Sequence, residues 1–110
     1  LSLSPQLPYT YKSQYLVNVA LTGTQDTHLV GNSLANTLQG NSGNNRLDGG
    51  KGMDTVIFKG NHSDYTIFDL REIEGKYVIM DKISGRDGTD TLVNIEFIKF
   101  SDQTTELLAD

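Results

Sequence analysis

Side-chain oxygens recur every nine residues through the middle of this 110-residue chain. Written in nines, the stretch reads TGTQDTHLV (22–30), GNSLANTLQ (31–39), GNSGNNRLD (40–48) and GGKGMDTVI (49–57), and its sixth column holds Thr27, Asn36, Asn45 and Asp54. Two chemistries are open to such a column. Asn and Thr can close a tight turn through their own side-chain hydrogen bonds. Alternatively, the oxygens can ligate a metal, and in that role only Asp54 brings a charge.

Catalytic chemistry has little to work with. No HExxH, GxSxG, P-loop or CxxC is present. The two histidines, His28 and His62, fall at an outward repeat position and in the loop GNHSDY, and both read as surface residues. Glu72 with Glu74, or Asp87 with Asp90, would be carboxylate pairs of the kind glycosidases use. Both pairs lie in expected turns with no cleft, so they read as solvated charge. Tyr9, Tyr11, Tyr65 and Tyr77 read as packing groups rather than sugar-stacking platforms. The expectation is a chain without enzymatic activity.

The elements that must position the sixth column follow from the other columns. Column eight is Leu29, Leu38, Leu47 and Val56, and column one is Thr22, Gly31, Gly40 and Gly49. Six residues rich in Gly and Asn make a turn, and three make a short strand. Successive side chains on a strand point to opposite faces. Column eight therefore points inward, while Thr37 with Gln39 and Arg46 with Asp48 point outward. Two repeats complete a coil, and coils stack at about 4.8 Å. The pattern predicts an all-β fold, a short right-handed parallel β-roll (a flattened β-helix) with a Leu/Val ladder as core.

GGKGMDTVI matches the nonapeptide G-G-x-G-x-D-x-U-x and resembles the repeat of RTX (repeat-in-toxin) haemolysin-type calcium-binding β-roll modules. The stretch from Leu21 to Phe58 is similar to the opening of such blocks, and SGRDGTDTLVNIEFIKFSD to the segment that closes them, covering roughly residues 15 to 103. The resemblance implies Ca2+ held between two turns one coil apart, by main-chain carbonyls and sixth-position side chains. Carried over, Asn36 and Asp54 face one ion, with carbonyls near Gly31, Gly49 and Gly52. Thr27 and Asn45 make the other pair, without a carboxylate. Affinity falls with charge count, toward about 10⁻⁴ to 10⁻³ M, so one weakly held ion is expected. Gly85 to Leu92 repeats the spacing G-x-x-G-x-D-x-L, making Asp90 and Asp87 weaker metal candidates. A tight Asp-Gly turn entering a strand is the competing reading, and no partner repeat is expected one coil away.

Four nonapeptides make only two coils, whose ends would expose apolar rungs. The chain is therefore read as a single module: residues 1–21 an N-terminal arm and lead-in strand (Tyr15 to Leu21), 22–58 the roll, and 59–110 a β cap with a secretion-signal region. In the cap, Tyr65 to Leu70 and Tyr77 to Asp81 should be strands turning at Gly75, forming a small antiparallel β-sheet packed on the last coil. Phe58, Phe68, Met80, Phe97 and Phe100 are expected to fill its core, and Thr104 to Ala109 is the one place a helix would fit.

Composition narrows the partners. No cysteine means no disulfide and no thiolate metal site. No apolar run approaches 18 residues, so no membrane span is expected. Residues 1–55 are neutral, and 56–110 carry the whole net charge of −5, which argues against nucleic acid. The chain opens LSLSPQLPYT, with no Met and no basic-then-apolar leader, and is expected to be the C-terminal region of a larger protein. The resemblance implies a secreted, extracellular bacterial protein. Its partners would be the parent protein's other domains and the type I secretion machinery, with which the acidic end TTELLAD is compatible. The alternative is a polysaccharide-binding module appended to a secreted enzyme, with Arg46, Lys51 and Lys59 as a local basic face.

Overall fold

The nine-residue rhythm becomes three-residue strands. The structure, a computed structural model, describes residues 2–3, 10–11 and 18–107. The chain runs β1 (Ser2–Leu3), β2 (Thr10–Tyr11), β3 (Asn18–Leu21), β4 (His28–Val30), β5 (Thr37–Gln39), β6 (Arg46–Asp48) and β7 (Thr55–Ile57). A 3-10 turn (His62–Asp64), β8 (Tyr65–Leu70), the single helical turn α1 (Arg71–Glu74), β9 (Lys76–Asp81), β10 (Thr89–Val93), β11 (Phe97–Lys99) and β12 (Thr104–Glu106) follow. The protein is all-β.

From β1 to β7, alternate strands go to alternate sheets. One six-stranded sheet has the order β1-β3-β5-β7-β11-β12, the other β2-β4-β6-β10-β9-β8. Pairing is parallel from β1 to β11 and from β2 to β10, and antiparallel at β12, β9 and β8, so both sheets are mixed. Leu29 sits opposite Leu47 and Leu38 opposite Val56. These four, at 0–2 % exposure, form the seam between the sheets, because the middle residue of each strand points inward and its neighbours do not.

The ladder continues beyond the four repeats. After β7 the chain leaves as the hairpin β8-α1-β9, then returns in frame: Leu92 pairs with Leu47 and Ile98 with Val56, both buried. Residues 85–93 thus lie beside 40–48 as a fifth nonapeptide. This corrects the expectation that the Gly85 to Leu92 segment has no partner repeat. The partner is present, separated in sequence by the excursion through β8 and β9. Upstream, Val19 pairs with Leu38, placing β3 in the same ladder. Of the arm and lead-in strand, residues 4–9 and 12–17 lie outside the described residues.

Three further expectations are revised. The hairpin does not pack on the last coil as a separate sheet; β9 hydrogen-bonds to β10 and prolongs the existing one. Phe68 and Met80 are 44 % and 38 % exposed and Phe97 is half-buried, so they are not core. The register Thr66↔Met80 and Phe68↔Val78 puts Phe68 and Met80 on the outer face, where a shift of one residue decides side. Phe58 and Phe100 are core as expected, and Tyr65 joins them, with ring centroids 5.0–5.9 Å apart, beside Tyr77, Ile79, Ile95 and Leu107. Finally, Thr104–Glu106 is a strand rather than a helix, because the free edge of β11 offers it partners; residues 108–110 lie outside the described ones. Gly75 ends α1 in the left-handed conformation (φ 68°), as a hairpin corner requires.

Candidate metal centre

The turns between strands stack in two columns. Turns 31–36, 49–54 and the short 94–96 form one; turns 22–27, 40–45 and 85–90 form the other. The approach is close. A β-carbon on Gly31 would lie 2.5 Å from the Gly49 carbonyl oxygen. One on Gly52 would lie 3.0 Å from the Leu34 carbonyl oxygen, and one on Gly88 2.6 Å from that of Gly43. Gly52 and Gly88 also have positive φ (87° and 70°), so only glycine serves at those positions without strain. The missing side chains let main-chain carbonyls face the next turn.

The sixth-position side chains point into these stacks. Thr27, Asn36, Asn45, Asp54 and Asp90 are all at most 3 % exposed. The Asn36 N–H donates to Asp54 Oδ1 at 2.8 Å, and the Asn45 N–H donates to Asp90 Oδ1 at the same distance. The Asp54 N–H donates in turn to Glu96 Oε1 at 2.7 Å. Each acid therefore caps the turn one coil back. The asparagines also close their own turns: Asn36 Oδ1 accepts from Asn32 N–H and Asn45 Oδ1 from Asn41 N–H, both at 3.0 Å.

Glu96 was not anticipated from the sequence. A usable signal exists: Ile98 is the ladder residue, and two positions before it, where every other rung has its sixth residue, stands Glu96. The three-residue turn 94–96, where the other turns have six, hides the frame.

The electrostatics of the two buried aspartates are unusual. Burial pushes Asp54 up to about 7; the Asn36 N–H opposes this, while the charges of Glu96 and Asp48 add to it. Burial pushes Asp90 up to about 8, against the Asn45 N–H and with the charges of Asp87, Asp81 and Asp26. Among the described residues no Lys, Arg or His forms an ion pair with either. Asp54 Oδ2 is buried and accepts no hydrogen bond. A buried carboxylate without counter-charge is costly, and either a proton or a cation relieves that cost.

The donor set decides which cation fits. Among the described residues no three of His, Cys, Asp and Glu are gathered at one point. Any ion here must draw on carbonyl oxygens around one or two carboxylates. Such hard, oxygen-only donors suit calcium, while zinc favours imidazole and thiolate. Asp54, with the turns carrying Gly31, Gly49, Gly52 and Asn36, fits calcium on these grounds, and Asp90 heads an equivalent stack.

The other predicted residues have different employment. Asp87, 3 % exposed, accepts from the Lys59 N–H at 3.0 Å and from the Tyr65 hydroxyl. Arg86 lies 5.2 Å over the Tyr65 ring and bonds both oxygens of Asp81 at 2.8 Å. Burial and Asp87 hold the Tyr65 phenol above its ordinary range. This cluster joins the hairpin to the turn 85–90. His28 Nε2 lies 2.8 Å from an Arg46 guanidinium nitrogen, and His62 sets its ring edge-on to Phe100.

Comparison with known families agrees with this geometry. Residues 30–61 match the RTX calcium-binding nonapeptide repeat, in four copies. The match takes in turns 31–36, 40–45 and 49–54 but stops short of Asp90 and Glu96. No curated protein and no solved structure matches the chain. The repeat family is a structural one that binds Ca2+, and its repeats occur in secreted bacterial proteins. The nonapeptide turns, their buried acids and the family match together support an RTX-type calcium-binding module built on the repeats of residues 30–61.

Proposed function

We propose that the chain is a non-catalytic, right-handed parallel β-roll that is loose where calcium is scarce, stiffens outside the cell, and supports type I secretion of a larger protein. Calcium is held at the turn 49–54, by Asp54 and oxygens of the turns containing Asn36, Gly31, Gly49 and Gly52. Asp90 heads a second, equivalent place.

The observation that carries this reading is the pair of buried carboxylates, Asp54 and Asp90, that no base neutralises among the described residues. Without an ion the fold bears the cost of burying them. With one, that cost is offset and binding adds to folding stability. A ligand at a hundred times its Kd contributes about 2.7 kcal/mol, a large fraction of the total for a small domain.

Calorimetric titration with calcium at pH 7.5, paired with thermal unfolding in calcium, magnesium and chelator, tests it. Heat of binding and a rise in Tm with calcium alone are expected. No heat and no shift at millimolar calcium would remove the metal from the account. The secretion step is tested by fusing the chain to a reporter in a type I exporting strain, where export should fall when Asp54 and Asp90 are both replaced by Asn.

A further inference from the structure

We infer that the cation at turn 49–54 sits on the side of the closing turn 94–96, with Glu96 as its second carboxylate. This rests on the calcium-binding reading above, keeps Asp54 and the turn of Gly49 as its centre, and replaces the oxygens of turn 31–36 (Gly31 and Asn36) by those of turn 94–96.

The side facing turn 31–36 is already satisfied. Asp54 Oδ1 accepts the Asn36 N–H, Asn36 Oδ1 accepts the Asn32 N–H, and Asn36 Nδ2 donates to Asn32 Oδ1 at 3.1 Å. The oxygen left over is Asp54 Oδ2, fully buried and without a partner. A β-carbon on Gly49 would lie 2.6 Å from that oxygen and 2.5 Å from the Asn94 carbonyl oxygen. The two oxygens are thus no farther apart than two calcium–oxygen bonds end to end, at about 2.3–2.6 Å each. They converge because Gly49 has no side chain to part them, between the last full turn and the short one.

Glu96 completes the arrangement. Its Oε1 accepts the Asp54 backbone N–H at 2.7 Å, which brings a half-buried second carboxylate to the residue that carries the first. Asp48 adds a third negative charge and is held in place by the Gly50 N–H and Asn94 Nδ2, both at 3.0 Å. None of the three acids has an ion pair among the described residues. Two carboxylates and a carbonyl on one side make a donor set for a hard divalent cation. The Asn36 side offers only one carboxylate.

The position has a consequence. The Glu96 and Phe97 N–H groups both donate to the Asp54 carbonyl at 3.0 Å, and the Leu107 N–H donates to the Glu96 carbonyl at 2.7 Å. An ion between Asp54 and Glu96 therefore fastens β11 and β12 to the roll, so calcium orders the C-terminal strands as well as the repeats.

The test is calcium calorimetry on the whole chain as wild type, Glu96→Gln and Asp54→Asn, with circular dichroism as the check on fold. Gln keeps the acceptor for the Asp54 N–H and removes only the charge. Glu96→Gln should weaken calcium binding about tenfold or more, since affinity follows ligand charge. Hydrogen exchange on the wild type supplies a readout free of mutation: calcium should slow exchange of the Glu96, Phe97 and Leu107 amides. A Glu96→Gln affinity within twofold of wild type, or protection confined to residues 31–36, overturns the placement while leaving calcium binding intact. Absence of any calcium binding by the wild type instead sinks the calcium reading itself.

Discussion

The hairpin and the roll treat their carboxylates in opposite ways. In the hairpin every partner is close along the chain or across one strand pair: Asp69 with Arg71 at 2.9 Å, Glu74 with Lys76 at 2.7 Å, and Asp81 with Arg86 at 2.8 Å. Hydrogen bonds from Arg71 hold Asp69 below its ordinary range. Burial alone would raise Asp81, but Arg86 and the Ile83 and Asp87 N–H groups bring it below that range as well. In the stacked turns, Asp54 and Asp90 are buried among other acids, and among the described residues each accepts a single backbone N–H. Both end well above the usual carboxylate range. The hairpin balances its charge within the chain, whereas the stacked turns leave Asp54 and Asp90 without an ion pair among the described residues.

The comparison can be broken first at the core. If residues 85–93 are a true rung of the roll, Leu92→Ala should cost about as much as Leu47→Ala, on the order of 2–5 kcal/mol by urea unfolding. Phe68→Ala, on the outer face of the hairpin, should cost under about 1 kcal/mol. A small effect at Leu92 would return that strand to the hairpin.

Next in size is the calcium response. Replacing both Asp54 and Asp90 by Asn should abolish the calcium-induced gain, about 2–3 kcal/mol at a hundredfold excess over Kd. The same variant should be more stable than wild type in chelator at pH 7.5, because it no longer buries two unpaired charges. A variant that loses stability equally in both buffers would give the acids a purely structural role.

The pH dependence sharpens the contrast through its sign. Asp54 and Asp90 have folded-state values raised to about 7 and about 8. In calcium-free buffer their contribution is therefore fully present below the unfolded value of about 3.9 and is lost as pH rises toward 7–8. Asp81, with its value lowered, works in reverse and loses its contribution as the solution turns acid. Chemical unfolding from pH 4 to 8 should show falling stability in wild type and a flatter profile in the doubly substituted protein. Identical profiles would show that the buried acids do not govern the pH response.

The smallest expected effect lies in the hairpin. Lys76→Ala removes a solvent-screened partner of Glu74 and should cost at most about 1 kcal/mol, with no change in calcium binding. A change in calcium affinity there would contradict the independence of the two regions.

Much of the candidate site could be read directly. Asp54 stands in the one complete nonapeptide, and burial of column six follows from the same period that buries Leu29, Leu38, Leu47 and Val56. Asp90 was recognised by its spacing but denied a neighbour, since the hairpin separates it from Asn45 by 45 residues. Glu96 carried no motif at all, because its turn is three residues short of the repeat. Phe68 and Met80 looked like core from residue type, while their side of the sheet depended on a one-residue register in the β8-β9 pair.

The sequence by itself determined the period, and with it the short strands, the glycine-lined turns and the inward ladder. These follow from local rules: side chains alternate along a strand, and glycine alone tolerates the close approach of stacked turns. Only the tertiary structure decided which acids meet. Asp54 finds Glu96 across 42 residues and Asn45 finds Asp90 across 45, because strand pairing is a long-range choice made when the hairpin folds out and the chain re-enters the ladder. Hydrophobic patterning encodes that a rung is needed there, but the hydrogen-bond register of the paired strands selects the residues that face one another across it.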